Sequence, residues 1–183
     1  MKTKVAATIE DLYHVPENGK AEIIEGELVL KPPSGLWHNR AAGSIYLSLR
    51  QYELHASEGC AIGDNAGFIV NLPNRRSFSP DAAWYVGPPT GMRFLEGAPL
   101  FAVEVRSQED YGPRAERAIA QKRKDYFMAG TLVFWDVDLR SEDVVKVYRA
   151  EMPDEPQIYR RGELAEAEPA LPGWTMPVDD LFT

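Results

Sequence analysis

The chain of 183 residues holds a single cysteine, Cys60, so no disulfide can close within it and a four-cysteine zinc site is excluded. No apolar run approaches the ~20 residues that a membrane-spanning helix requires, and no membrane partner is expected. There is no internal repeat and no low-complexity tract. The opening residues, MKTKVAATIEDL, carry two lysines but no apolar stretch, so a secretory signal is not expected. These absences suggest a reducing, cytoplasmic setting. Positive charge is also in deficit, since 20 Lys and Arg face 28 Asp and Glu for a net charge of -8. That argues against a strongly nucleic-acid-binding surface, which usually presents a basic face. It does not exclude a nuclease, because carboxylates that hold a metal add negative charge and the bound ion reverses the local field.

Hydrophobic residues make up 44% and charged residues 26%, ordinary for a globular protein, and the length suits one domain spanning 1–183. Thr8-Ile9-Glu10-Asp11 resembles a capping box at the start of a short helix. Residues 21–24 and 27–30 read as two strands turned at Glu25-Gly26. A helix is expected from about 37 to 55, where Ala41, Ala42, Ile45, Leu49 and Tyr52 recur at helical spacing. Strands follow at 67–72, 81–86 and 100–105, separated by proline-rich loops. Pro113 can open a second long helix and Gly130 can stop it. Strands at 132–137 and 144–148 complete the core, and the proline- and acid-rich residues 152–183 are expected to wrap it as a tail. This order predicts an α/β or α+β fold, a central mixed sheet flanked by helices.

Three residues carry the chemistry. On the helix that starts at Pro113, Ala115, Ala118, Ile119, Tyr126 and Ala129 fall on one side, and Lys122 lies at the centre of that stripe. A lysine is rarely buried without a partner, so either an anion meets it or it snorkels over apolar surface. Glu104 interrupts the strand LFAVEV, where a charge is costly unless paired or bound to a metal; the plainer reading is a strand-end glutamate facing solvent. Asp81 follows Pro80 at the start of a strand, where it reads either as a turn residue or as a fixed carboxylate. Were the three to converge, the two carboxylates would offer hard oxygen ligands to Mg²⁺ and the lysine could steer a nucleophilic water or offset charge on a phosphate.

The segments AEIIEGELVLKPPS, His38 at the head of the first long helix, Ser79-Pro80-Asp81, GAPLFAVEVRS, KRKDYFMAG followed by WDVD, and LPGW stand in a fixed order. In this order and spacing the chain, from about 22 to 174, resembles the Uma-type restriction endonuclease family of the PD-(D/E)XK nuclease superfamily. The resemblance implies a restriction-endonuclease-like fold and a Mg²⁺-dependent endonuclease acting on DNA, with Mn²⁺ as a substitute ion. It implies Asp81 and Glu104 as metal ligands and Lys122 as the catalytic lysine. The superfamily's usual lysine position, two residues after that glutamate, holds Arg106 here. Glu22 matches an acidic family position, as a further ligand, a group behind the ligands or an edge-strand residue. His38 and Arg106 are candidates for phosphate contact or for support of the ligands, with a structural role for His38 as the alternative. Asp110 is expected to cap the Lys122 helix.

Cleavage of two strands would favour a homodimer. The competing readings are a catalytically silent module of the same fold that binds nucleic acid or a protein partner, and an interaction protein whose apolar residues 171–182 pack against a neighbour.

Overall fold

The computed structural model describes residues 6–15 and 19–183, so the N-terminal lysines Lys2 and Lys4 lie outside the described residues. Helix α1 (Ile9–Tyr13) opens with the expected box: Asp11 N donates to Thr8 Oγ1 at 3.2 Å and Thr8 N donates to Asp11 Oδ2 at 2.7 Å. Strands β1 (Lys20–Ile24) and β2 (Glu27–Lys31) form an antiparallel hairpin. Its two turn residues both take positive φ, 50° at Glu25 and 74° at Gly26, the twist a two-residue hairpin turn needs. Helix α2 (Leu36–Glu53) follows, then β3 (Cys60–Ile62), β4 (Phe68–Ile69), β5 (Ser77–Phe78), β6 (Ala82–Tyr85), β7 (Leu95–Glu96) and β8 (Phe101–Val105). Helix α3 (Pro113–Ala129) leads to β9 (Val133–Val137), β10 (Val145–Arg149) and β11 (Met152–Tyr159). The chain ends with β12 (Leu164–Glu166), β13 (Thr175–Pro177) and a 3-10 helix, Val178–Phe182.

The central sheet has six strands in the order β11-β10-β9-β8-β6-β3. β8 and β9 run parallel while the other pairs are antiparallel, so the sheet is mixed as expected. A parallel pair needs a long crossover, and α3 supplies it. Proline at the first helical turn and Gly130 in the left-handed region at φ 110° bound α3 as the sequence predicts.

Strand alternation sorts the core into two layers. Ala82, Trp84, Phe101, Val103, Val105, Val133, Trp135 and Val137 pack with Ala41, Ala42, Ile45 and Leu49 of α2. Ala83, Tyr85, Ala102 and Phe134 point the other way and meet Tyr126 of α3. The layers leave the α3 side of β8 and β9 with polar continuations beyond the apolar residues, Glu104 after Ala102 and Asp136 after Phe134. That is where the charged groups collect.

Three expectations change. The strand at 67–72 is confined to Phe68–Ile69 in a small three-stranded sheet, because Val70 N and Leu72 N turn back to the Arg76 and Arg75 carbonyls, each at 3.0 Å. The residues after 151 are more than a wrapping tail, since β11 is the sheet's outer strand. The apolar residues 171–182 are also not held out for a neighbour. Leu171, Trp174, Met176 and Leu181 are buried in the chain's own α2-side core, where Trp174 lies 5.2 Å from Trp135 between ring centres. No helix among the described residues is long and apolar enough to cross a membrane.

Candidate active site

Continuing the β6–β8 register by one step sets Asp81 across from Glu104, just where β6 begins. Backbone bonds fix that approach: Asp81 N donates to Val103 O at 3.0 Å and Val105 N donates to Asp81 Oδ2 at 2.8 Å. The same Oδ2 accepts from His38 Nε2 at 3.1 Å, so α2 reaches the site from the far side of the sheet end. Oδ1 faces another cation, the Lys20 ammonium of β1 at 2.7 Å. Burial alone would raise the Asp81 carboxyl, but the His38 hydrogen bond and the Lys20 charge overcome it and hold the group well below the ordinary carboxylate range.

Lys122 reaches the site from α3. Its Nζ stands 2.7 Å from Glu104 Oε2 and 2.8 Å from Glu22 Oε1. Buried and doubly paired, it does not snorkel. Desolvation disfavours its charge, but the charges of Glu104 and Glu22 outweigh that and raise its pKa. Glu104 also accepts from Tyr126 Oη at 2.9 Å. Its own carboxyl is raised, first by burial and then, against the pull of Lys122, by the charges of Asp81 and Glu22. One group of the pair at the sheet end is therefore held down and the other up.

Glu22 is fully buried, and both its oxygens are taken. Oε1 meets Lys122 and accepts from Ser79 N at 3.1 Å; Oε2 accepts from Arg75 at 2.6 Å. Burial raises its carboxyl, yet Lys122 and Arg75 bring it down to about 2. It anchors the lysine from behind. Arg106 leaves the site altogether. Its Nε and NH2 grip Asp136 at 2.7 Å each, and NH1 and NH2 also pair with Glu116. Four of its five N–H donors are committed to Asp136 and Glu116, so it is turned to those carboxylates and away from Asp81. Asp110 does not cap α3 either: it accepts from Ser107 N and Oγ, each at 2.7 Å, and the cap position is Gly112.

Sequence reasoning missed Lys20, Asp64, Arg75 and Asp125. Arg75 Nε donates to Asp125 Oδ2 at 2.8 Å, tying α3 to the loop that carries Glu22's partner. Lys20 had a usable signal, because alternation puts residues 20 and 22 on one face of β1. Asp125 had one as well, since it lies one turn from Lys122 on the buried side of α3, whereas Asp64 and Arg75 sit in loops with no periodicity to read.

The sequence pattern of the Uma2 family, described as "Putative restriction endonuclease", matches residues 7–179. The chain belongs to the Uma2 family. A solved structure of a "putative nuclease belonging to DUF820" from Anabaena variabilis ATCC 29413 is similar, with a TM-score of 0.74 and 18% identity over 96% of this chain and 97% of that one. At that identity the likeness speaks for the fold, and it agrees with the restriction-endonuclease-like sheet described above. No curated protein matches the chain.

The Uma2 site is suited to a divalent ion by its donor chemistry and not by a ready cage. No group of three His, Cys, Asp or Glu side chains converges on one point among the described residues. Two carboxylates on neighbouring strands are nonetheless the protein share that Mg²⁺ commonly takes, with water completing its shell.

Proposed function

We propose that this Uma2 protein is a Mg²⁺-dependent endonuclease that hydrolyses phosphodiester bonds of DNA, with Mn²⁺ able to replace Mg²⁺. The observation that carries the reading is the Lys122 ammonium on the α3 stripe, paired at 2.7 Å with Glu104. A buried cation held against carboxylates at a sheet end has a ready use in phosphate chemistry, and the family to which the chain belongs is described in those terms.

In this reading Asp81 and Glu104 hold the ion, which supplies Lewis-acid polarisation of the phosphate and a more acidic water. Asp81 is suited to that task because its carboxyl stays ionised well below neutral pH. Lys122 remains an ammonium at neutral pH, since its pKa is raised. It therefore acts as a donor and a positive charge toward the phosphate oxygens and not as a general base. Glu22 and Arg75 fix the direction of that ammonium, and Tyr126 fixes Glu104. His38, hydrogen-bonded to Asp81, orients the carboxylate.

One observation favours the silent-module reading: both catalytic carboxylates are already paired with lysines. Cleavage of supercoiled plasmid and of single-stranded DNA with Mg²⁺ or Mn²⁺, run beside metal-binding calorimetry, separates the two. Asp81→Ala should abolish metal binding and cleavage together. Lys122→Ala should keep metal binding and slow the chemical step by ~10²–10³, the scale of one lost electrostatic donor. Metal bound by the native protein with no nucleic acid cut would establish the silent module instead. Full activity in Lys122→Ala would remove that residue from the mechanism.

A further inference from the structure

Asp81 has one oxygen that the fold itself occupies and one that it leaves to a cation. Oδ2 is held by Val105 N and His38. Oδ1 accepts from the Lys20 ammonium, with Nζ at 2.7 Å. The same ammonium lies 2.7 Å from Asp64 Oδ1 and is also drawn by the charge of Glu104. Lys20 thus stands where the two strand carboxylates both exert their pull. Its side chain is 17% exposed and Asp64's 34%, against 5% for Asp81, so the ammonium bridges from the buried carboxylate out to the rim.

We propose that Lys20 is the resident counter-cation of this site, that a divalent ion enters by displacing the Lys20 ammonium from Asp81 Oδ1, and that Asp64 keeps the displaced ammonium at the rim. This rests on the metal-dependent reading above and adds a competitor to it. The logic is charge balance. Glu22, Asp81 and Glu104 gather three carboxylates near one another, and two lysines and Arg75 offset them. Lys122 and Arg75 are held from within the fold by Glu22, and Arg75 also by Asp125. Lys20 is the one cation of the three with a partner on the outer side, and it can leave Asp81 without becoming an unpaired buried charge. An ion arriving at Asp81 adds a positive charge beside that ammonium, and the repulsion drives it outward along its hydrogen bond to Asp64. No proton has to be lost for the exchange.

The test is calorimetric titration with MnCl₂ of the native chain, Lys20→Met and Asp64→Asn, with thermal unfolding of each in the absence and presence of Mn²⁺. Lys20→Met should bind Mn²⁺ about tenfold tighter or more, the scale on which groups behind metal ligands act. It should also melt lower than the native chain without metal and recover when Mn²⁺ is added. Asp64→Asn should bind Mn²⁺ several-fold more weakly, because the displaced ammonium loses its outer partner. In the Lys20→Met background the Asp64→Asn change should have almost no effect, which separates action through Lys20 from direct attraction of the ion. Affinity unchanged or weakened in Lys20→Met overturns the exchange while leaving the metal-dependent reading intact. Binding by Lys20→Met alone, with none by the native chain, shows that the Lys20 ammonium is not displaced and overturns the exchange together with the metal-dependent reading. Binding by neither overturns both. Should Lys20→Met fail to fold with or without Mn²⁺, unchanged affinity in Asp64→Asn overturns the proposal by itself.

Discussion

Glu104 and Asp136 are register partners on the parallel strands β8 and β9, and each meets a cation on the α3 side of the sheet, yet the two ion clusters are built differently. Asp136 is gripped by both arms of the Arg106 fork at 2.7 Å, with Glu116 closing the outside. A guanidinium that cannot deprotonate meets two carboxylates and commits four of its five N–H donors to them. Glu104 meets a lysine that it must share with Glu22, and it lies near Asp81 as well, so its carboxyl is raised where a well-paired one would be lowered. The first cluster is a closed joint between α3 and the sheet. The second is crowded with negative charge and offsets it with two ammonium groups. One strand separates the two clusters, and the cation that meets the carboxylate is an arginine in the first and a lysine in the second.

The most severe way to break this comparison is to open the joint. Arg106→Ala leaves Asp136 buried without its counter-charge and should cost about 3–5 kcal/mol in urea unfolding, the range for breaking one side of a buried pair. Mn²⁺ binding by the folded fraction should be unchanged. A loss below ~1 kcal/mol would show that the joint is not structural, and altered Mn²⁺ affinity would return Arg106 to the site.

Acid should act in opposite directions on the carboxylates of the crowded cluster. Glu22 is held down to about 2 and Asp81 is also lowered, so their contributions are complete above the ordinary carboxylate value and are lost as pH falls from about 4.5 toward 2. Glu104 has the opposite sign: its raised carboxyl takes up a proton first and relieves crowding as pH begins to fall. Unfolding midpoints of native chain and Glu104→Gln between pH 7 and pH 3 should therefore diverge. The native chain should gain relative to the variant on initial acidification, and both should lose stability below about pH 4. Parallel curves would contradict the raised carboxyl.

Smaller changes sharpen the contrast. Tyr126→Phe removes the hydroxyl that donates to Glu104 and should cost ~1.5–3 kcal/mol in urea unfolding, the range for a hydrogen bond to a charged group. Glu116→Ala touches only the exposed side of the Arg106 joint, where the glutamate side chain is 53% exposed, and should change stability by no more than ~1 kcal/mol. A larger loss from Glu116 than from Tyr126 would reverse the assignment of closed and crowded clusters.

What the sequence made legible follows from which signals are local. The α3 boundaries were readable because Pro113 and Gly130 act on their own backbone, and Lys122 was readable because a helical wheel needs nothing beyond its own helix. The central strands were readable by apolar runs such as LFAVEV. β11 was not, because MPDEPQIY looks like a loop until an edge position excuses its prolines. The short strands β3, β5 and β7, two or three residues each, exist only through partners distant in sequence. At the site, the direction of Arg106 depended on Asp136, thirty residues on, and the status of Glu22 depended on Arg75, fifty-three residues on; neither distance carries a pattern.

The prolines of β11 also bear on how copies of the chain can meet. Pro153 and Pro156 give the outermost strand no N–H at two positions, and Asp154 and Glu155 add like charges beside them. A second β11 laid alongside would face missing donors and repelling carboxylates, so this border of the sheet is closed to strand addition. The opposite border, β3, is three residues long, too short to template a continuous ladder. Any two-fold partnership that brings a second site to the other strand of a duplex is then made away from both borders of the six-stranded sheet, with the two central sheets kept as separate units.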